Sequence, residues 1–441
     1  MPARTTAQTD VHQLLVELAP PPAGEDRAAW QRAALRDLEG LQDVLGRGLV
    51  SWATPEVQPR IARQLAARCA ALGGAEPPAL DRFLRVRLAP PSTAADLRTA
   101  WGDDGSHTIT GSGDPGPQGR LEGAIKELAR IPGEVLWQPN LGEPPGGMAV
   151  FDSPVWPASA GQGVRLAFLA PGYQRDHPDY RHLEVRDLRP PVRHDRGLGT
   201  WTLGVLAAQP IHAGLVGICP KVQPVFVRPW TERPGLGDLH STADAAALAC
   251  TVLQAGDVLL LAHAAAAGPV ERDLATFAAI QLATALGIHV IQAAGDRALD
   301  LDGPEHQGLY DRSLRDSGAV MVTGYLRRPL PPPSAIRIWG AHGTRIDAHA
   351  PAPIYTTKPS GTHRHLVQWF QGSTAAATQV AGVVALASGA VQQQGGAPVD
   401  PERMRALLTA TGTPAMMESD RAIAGTQPNL GALLKALGVP G

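Results

Sequence analysis

From residue 160 onward the chain carries short, largely apolar runs separated by stretches long enough for a helix. Val164 to Leu169, Val222 to Val227, Val258 to Leu261, Val290 to Ala294 and Ala319 to Thr323 are the clearest. A strand with one wet face alternates apolar and polar residues; these runs do not, so both faces are predicted to be covered. The pattern predicts an α/β fold, a doubly wound parallel sheet with right-handed crossovers. Further on, Asp400 followed by Pro401 predicts a capped helix that runs through Leu407.

Upstream the period changes twice. Between Asp10 and Gly73, Trp30, Ala34, Leu38, Leu41 and Leu45 recur at three and four residues, and Ile61, Leu65, Arg68 and Leu72 repeat that spacing. The spacing predicts a helical hairpin or extension over residues 1–76. Residues 77–140 read as a small α+β unit. It has a strand at Phe83, Leu84, Val86 and Leu88, helices at Ser92 to Trp101 and Leu121 to Ile131, and a closing strand at Glu134 to Trp137. Residues 141–159, rich in Gly and Pro, read as a linker to the domain at 160–441.

Residues 372–382 read Gly-Ser-Thr-Ala-Ala-Ala-Thr-Gln-Val-Ala-Gly. This segment resembles the signature of the subtilisin-like serine proteases (subtilases), Gly-Thr-Ser-x-Ala-x-Pro-x-Val-Ala-Gly, with Thr374 at the position of the nucleophilic serine. Gly372 and the closing Val380-Ala381-Gly382 set the register, and Ser373 offers a neighbouring hydroxyl. Three more segments resemble the family's motifs. Gly161 to Gly172, leading to Asp176-His177-Pro178-Asp179, keeps the frame of the acid motif with Ala170 at the acid position. Leu198-Gly199-Thr200-Trp201-Thr202-Leu203-Gly204 keeps the frame of the histidine motif with Leu198 at the base position. Ala293-Ala294-Gly295-Asp296 resembles the oxyanion motif, with Asp296 in place of asparagine. The resemblance also extends upstream, where the α+β unit at 77–140 resembles the inhibitory propeptide of many subtilases.

The resemblance implies a subtilisin-type fold and a peptide cleft lined by Ala262, His263, Ala264, Ala293, Ala294 and Gly295. It also implies a mechanism that needs a carboxylate to orient a histidine, the histidine to take the hydroxyl proton, and an amide to steady the oxyanion. None of those groups stands at Ala170, Leu198 or Asp296, and an alcohol without a base is a poor nucleophile. The expectation is therefore that the chain is not an enzyme but a pseudoprotease that binds, scaffolds or regulates a protein or peptide partner, an active protease paralogue included, with Trp137 to Asn140 lying over the cleft. The alternative is a weak or unusual serine/threonine endopeptidase that uses Thr374 or Ser373 with a displaced histidine, for which His194 beside Asp195 is the best placed. His177, His212, His263, His342, His349, His363 and His365 are expected to be satisfied or exposed, although His263 falls where the family's substrate-lining strand runs.

Composition adjusts this picture little. The formal net charge of -2 over 441 residues gives no electrostatic reason to expect nucleic acid or an anionic membrane as partner. Arg outnumbers Lys, which points to a GC-rich bacterial genome. Cys69, Cys219 and Cys250 are too widely spaced for a metal site and are expected to be buried thiols in a reducing compartment. No metal or cofactor is expected, since Asp300 and Asp302 fall short of the oxygens that calcium takes. The N-terminus lacks an apolar signal core and no membrane-spanning run is expected, so the expected location is cytoplasmic.

Overall fold

The computed structural model describes residues 13–19, 26–40, 45–52, 59–72, 79–88, 108–111, 138–143, 147–153, 156, 159–191, 197–209, 215–233, 237–264, 268–327, 336–359, 367–414 and 425–439. Its N-terminal part is a sheet with two helices. Strands β1 (Gln13–Glu17), β2 (Leu45–Trp52), β3 (Phe83–Leu88) and β4 (Thr108–Gly111) pair antiparallel in the order β2-β3-β1-β4. Helices α1 (Arg27–Gly40) and α2 (Pro59–Ala71) alternate with the first strands along the chain. The wholly helical reading of the N-terminal stretch is thus corrected. Periodicity finds the two helices, but Leu45, read as the end of a helical stripe, opens β2 instead. Short segments fit either period, and cross-strand pairing with β3 decides between them. The helices expected at Ser92 to Trp101 and Leu121 to Ile131, and the strand at Glu134 to Trp137, lie outside the described residues.

The apolar runs form the main sheet. Its strands are β5 (Arg165–Leu169), β6 (Arg186–Asp187), β7 (Gln223–Val227), β10 (Val258–Leu261), β11 (His289–Ala293), β12 (Val320–Arg327), β13 (Ile336–Trp339), β14 (Ala348–Pro351), β17 (Thr413–Pro414) and β18 (Thr426–Gln427). The order is β17-β18-β14-β12-β11-β10-β5-β7-β6, with β13 paired to β12. All neighbours are parallel except β12 with β13 and β17 with β18. Two hairpins lie apart from it, β8 (Trp230–Arg233) with β9 (Gly237–His240) and β15 (Ile354–Thr357) with β16 (Val367–Phe370).

Alternate residues of each strand show why the runs are continuously apolar. Leu166, Phe168, Val258 and Leu260 face one core with residues of α3 (Gly197–Ala207) and α6 (Gly372–Gln393). Ala167, Leu169, Leu259 and Leu261 face a second core with α4 (Thr242–Cys250) and α5 (Leu274–Ala285). Each strand is thus sealed on both faces. Helix α6 corrects the expectation that no run is of membrane-spanning length: it is long and apolar enough, but nearly all of it is buried among the strands, which accounts for its composition. Helix α7 (Pro401–Thr411) begins as expected, with Asp400 accepting from Glu402 N at 2.9 Å and Arg403 N at 3.1 Å. A last helix, α8 (Leu430–Ala436), packs into the first core.

The N-terminal sheet unit rests on the α4–α5 face. Leu65, Cys69, Leu80 and Phe83 belong to the second core. Arg68 donates to the carbonyls of Cys250, at 2.9 Å, and Leu253 at the end of α4. In the stretch read as a linker, Leu141, Met148 and Val150 are fully buried in the first core. All three cysteines are buried, and burial pushes the Cys250 thiol up to about 12 and that of Cys219 further still.

Candidate active site

In an open parallel sheet a ligand crevice opens at the carboxyl ends of the strands where the winding reverses. Here β7 lies on one side of β5 and β10 on the other, so the reversal falls between β5 and β10. Ala170 directly follows β5, Ala262 to Ala264 follow β10, and Ala294 to Asp296 follow β11. The chain order thus delivers the acid and oxyanion motifs, and the expected cleft segment, to one end of the sheet.

The acid and base positions are apolar here as well as in sequence. Ala170 and Leu198 are buried and share a core with Ala375 and Ala376 of α6. Gly199 N donates to Gly172 O at 3.2 Å, and Gln174 N donates to Thr200 Oγ1 at 2.9 Å, which pins the start of α3 to the loop after β5. A Cβ on Gly199 would lie 2.4 Å from Gly172 O, so this approach requires glycine. The hairpin β15–β16 holds the other side of α3 through Thr357 Oγ1 to Thr200 O at 2.8 Å and Thr356 Oγ1 to Trp201 O at 2.6 Å.

The oxyanion and nucleophile segments meet directly. Asp296 Oδ1 accepts from Ser373 N at 2.7 Å and from Ser373 Oγ at 2.9 Å. Gly295 N donates to Ser373 Oγ at 3.0 Å. The Ser373 hydroxyl is therefore engaged as both donor and acceptor. Thr374 differs: its carbonyl accepts from Thr378 Oγ1 at 2.8 Å, while its hydroxyl has no hydrogen bond among the described residues. Asp296 is exposed, whereas Ser373 and Thr374 are buried.

Of the expected cleft residues, Ala262, Ala293, Ala294 and Gly295 are buried, and His263 and Ala264 are partly open. His263 Nε2 lies 2.9 Å from Thr242 Oγ1 at the start of α4. A Cβ on Gly295 would sit 3.3 Å from that of Ala264, so the ends of the two strand loops touch. The side chains of Gln138 and Asn140 do not go to these residues. Gln138 pairs with both backbone groups of Val216, at 3.0 and 2.9 Å, and Asn140 Nδ2 donates to Gln379 Oε1 on α6 at 3.1 Å. Trp137 and His194 lie outside the described residues. Asp302 accepts from Thr344 N at 2.9 Å and Thr344 Oγ1 at 2.6 Å, an arrangement that ties a turn.

No protein-family model and no curated protein matches this chain. Among solved structures, fervidolysin from Fervidobacterium pennivorans, a keratinolytic enzyme related to subtilisin, matches over 96% of this chain with a TM-score of 0.60 at 15% identity. The chain has the subtilisin fold. It spans 61% of the fervidolysin chain. Proteases from Pseudoalteromonas arctica PAMC 21717 match 68% of this chain and 96% of theirs, at 21% identity and a TM-score of 0.49. The MycP3 protease of the type VII (ESX-3) secretion system matches 69% of this chain and 89% of its own, at 19% identity and a TM-score of 0.47.

The match to fervidolysin corrects the expectation that the chain is not an enzyme. Fervidolysin, the structure that carries the fold match, is described as a keratinolytic enzyme, so the shared fold gives that expectation no support. The residues at Ala170, Leu198, Asp296 and Thr374 bear on mechanism and rate. Sequence reasoning missed the engagement of Ser373 by Asp296, for which the only sequence signal is a carboxylate and a serine at two separately recognised motifs.

Proposed function

We propose that this chain is a subtilase-type serine/threonine endopeptidase, weak or unusual in mechanism, with Thr374 as its hydroxyl. The observation that carries the reading is the contrast in the first turn of α6. Ser373 spends its hydroxyl on Asp296 and Gly295, which leaves the Thr374 hydroxyl as the one uncommitted alcohol of the pair. The substrate class is an extended peptide laid along the loops after β10 and β11, beside His263 and Ala264. In the reaction the Thr374 oxygen bonds to the peptide carbonyl carbon while its proton passes to a base, and the carbonyl electrons move to oxygen. The amine then leaves with that proton, and water hydrolyses the ester.

The candidate base is His194, four residues before Leu198 and so within about 15 Å of it along the chain. Turnover is expected to be slow. Removing the whole triad of a subtilisin-type enzyme costs about 10⁶-fold in turnover, and this chain has the family's residue at none of those three positions, keeping only a hydroxyl at Thr374.

A fluorophosphonate probe tests the assignment, since the attacking hydroxyl displaces fluoride from phosphorus and loses its proton. An adduct is expected on Thr374 that disappears in Thr374→Ala, persists in Ser373→Ala and slows by at least tenfold in His194→Ala. Absence of any adduct, or an adduct on Ser373, overturns the reading.

A further inference from the structure

We propose that Asp296 is an internal anion that occupies the amide end of α6 and holds back the reaction at Thr374, an inference that rests on the endopeptidase reading above. The first turn of a helix presents N–H groups without partners inside the helix, and these attract negative charge. In α6 the residue preceding the helix, Gln371, supplies no side-chain cap. Asp296 supplies it from 77 residues away: one carboxylate oxygen takes both the amide and the hydroxyl of Ser373, at 2.7 and 2.9 Å. The bond from Gly295 N to Ser373 Oγ, at 3.0 Å, ties the neighbouring residue to the same hydroxyl.

The backbone makes room for this carboxylate. Gly372 has φ +78°, and a Cβ there would lie 2.3 Å from Asp296 Oδ2 and 2.5 Å from Oδ1. Gly340, at φ +124°, supports the other side, because a Cβ on it would lie 2.2 Å from Gly295 O, which accepts from Ala341 N at 3.1 Å. Two glycines in left-handed conformations thus flank the segment that carries Asp296.

The chemical consequence follows from charge. When a hydroxyl adds to a peptide carbonyl, negative charge grows on the carbonyl oxygen and is stabilised by N–H donors aimed at it. Asp296 brings a negative charge to that end of the site and consumes the Ser373 amide. An amide side chain of the same shape would remove the charge and add a donor. Removal of one such donor from an oxyanion site costs roughly 10²–10³-fold, so its restoration is expected to return a gain of the same order.

The test compares the full-length chain with Asp296→Asn. The variant is expected to react with the fluorophosphonate at Thr374 about 100-fold faster and to hydrolyse a fluorogenic peptide library with higher kcat at little-changed KM. That split marks an interaction made only in the transition state; a merely structural change would not produce it. The double variant D296N/T374A is expected to be silent. If the parent is labelled and D296N is no faster, the inference falls while the endopeptidase reading stands. If neither is labelled, both fall. Should D296N fail to fold, as judged by circular dichroism, Asp296→Ser removes the same charge and carries the same comparison.

Discussion

At the scale of single residues, the site is governed by a residue with no chemistry of its own. Gly372 stands at φ +78°, and its missing Cβ is the space that the Asp296 carboxylate fills. Gly372→Ala therefore faces a left-handed conformation, about 1–2 kcal/mol, and displaces a hydrogen-bonded carboxylate as well. A loss of roughly 2–4 kcal/mol is expected, read as a lower urea midpoint at unchanged slope. A shift below 0.5 kcal/mol would show that the turn tolerates a side chain. The sequence makes half of this legible. An aspartate at an asparagine position can be read locally, and so can the glycine that opens the helix signature. Its pairing with Ser373 cannot, because that contact joins residues whose separation along the chain carries no periodic signal.

At the scale of elements, legibility follows burial. The five runs of the main sheet are readable because both faces are covered and nearly every position is apolar; β1 and β2 are not, because short amphipathic strands satisfy a helical count equally well. Helix α2 is readable, but its docking is not. Leu65 and Cys69 supply the apolar side of that contact, and Arg68 donates to the Cys250 and Leu253 carbonyls where α4 ends. A cation at the carboxyl end of a helix is favourable both as donor and against the dipole. Arg68→Ala strands these carbonyls and is expected to lower the local opening free energy of α2 by about 2 kcal/mol, a roughly 30-fold faster amide exchange. Hydrogen exchange measured by mass spectrometry reads it directly. Unchanged exchange in residues 59–72 would mean that the apolar contact alone holds the unit, while β10 and β11 should keep their protection in either case.

At the scale of the whole molecule, buried charge is distributed so that one group stands out. Arg345, fully enclosed, binds Glu271 at 2.8 and 2.9 Å and Asp347 at 2.7 Å. Burial alone would raise Glu271, but the charge and hydrogen bonds of Arg345 more than offset it and hold the carboxyl below its usual range. Arg405 does the same for Asp316 against its burial. These carboxylates stabilise the fold above their ordinary values, and their contribution is lost only as pH falls well into the acid range. His289, the first residue of β11, has no such partner among the described residues: both ring nitrogens are buried without a hydrogen bond to any of them. Burial lowers it from its ordinary 6.5 to about 4, with Asp400 opposing only in part. Because the folded value lies below the unfolded one, the unfolded chain binds more protons between about pH 4 and 6.5, and stability falls as pH drops through that window. The full gap corresponds to about 3 kcal/mol, of which about 2 kcal/mol is expected to disappear between pH 7 and 5, before the carboxylates respond. Urea unfolding of the parent and of His289→Leu at both pH values isolates the term, since every other histidine is common to the two chains. The parent should lose about 2 kcal/mol more than the variant on acidification; parallel losses would mean that the ring finds a partner in solution and that the acid sensitivity of the fold resides elsewhere.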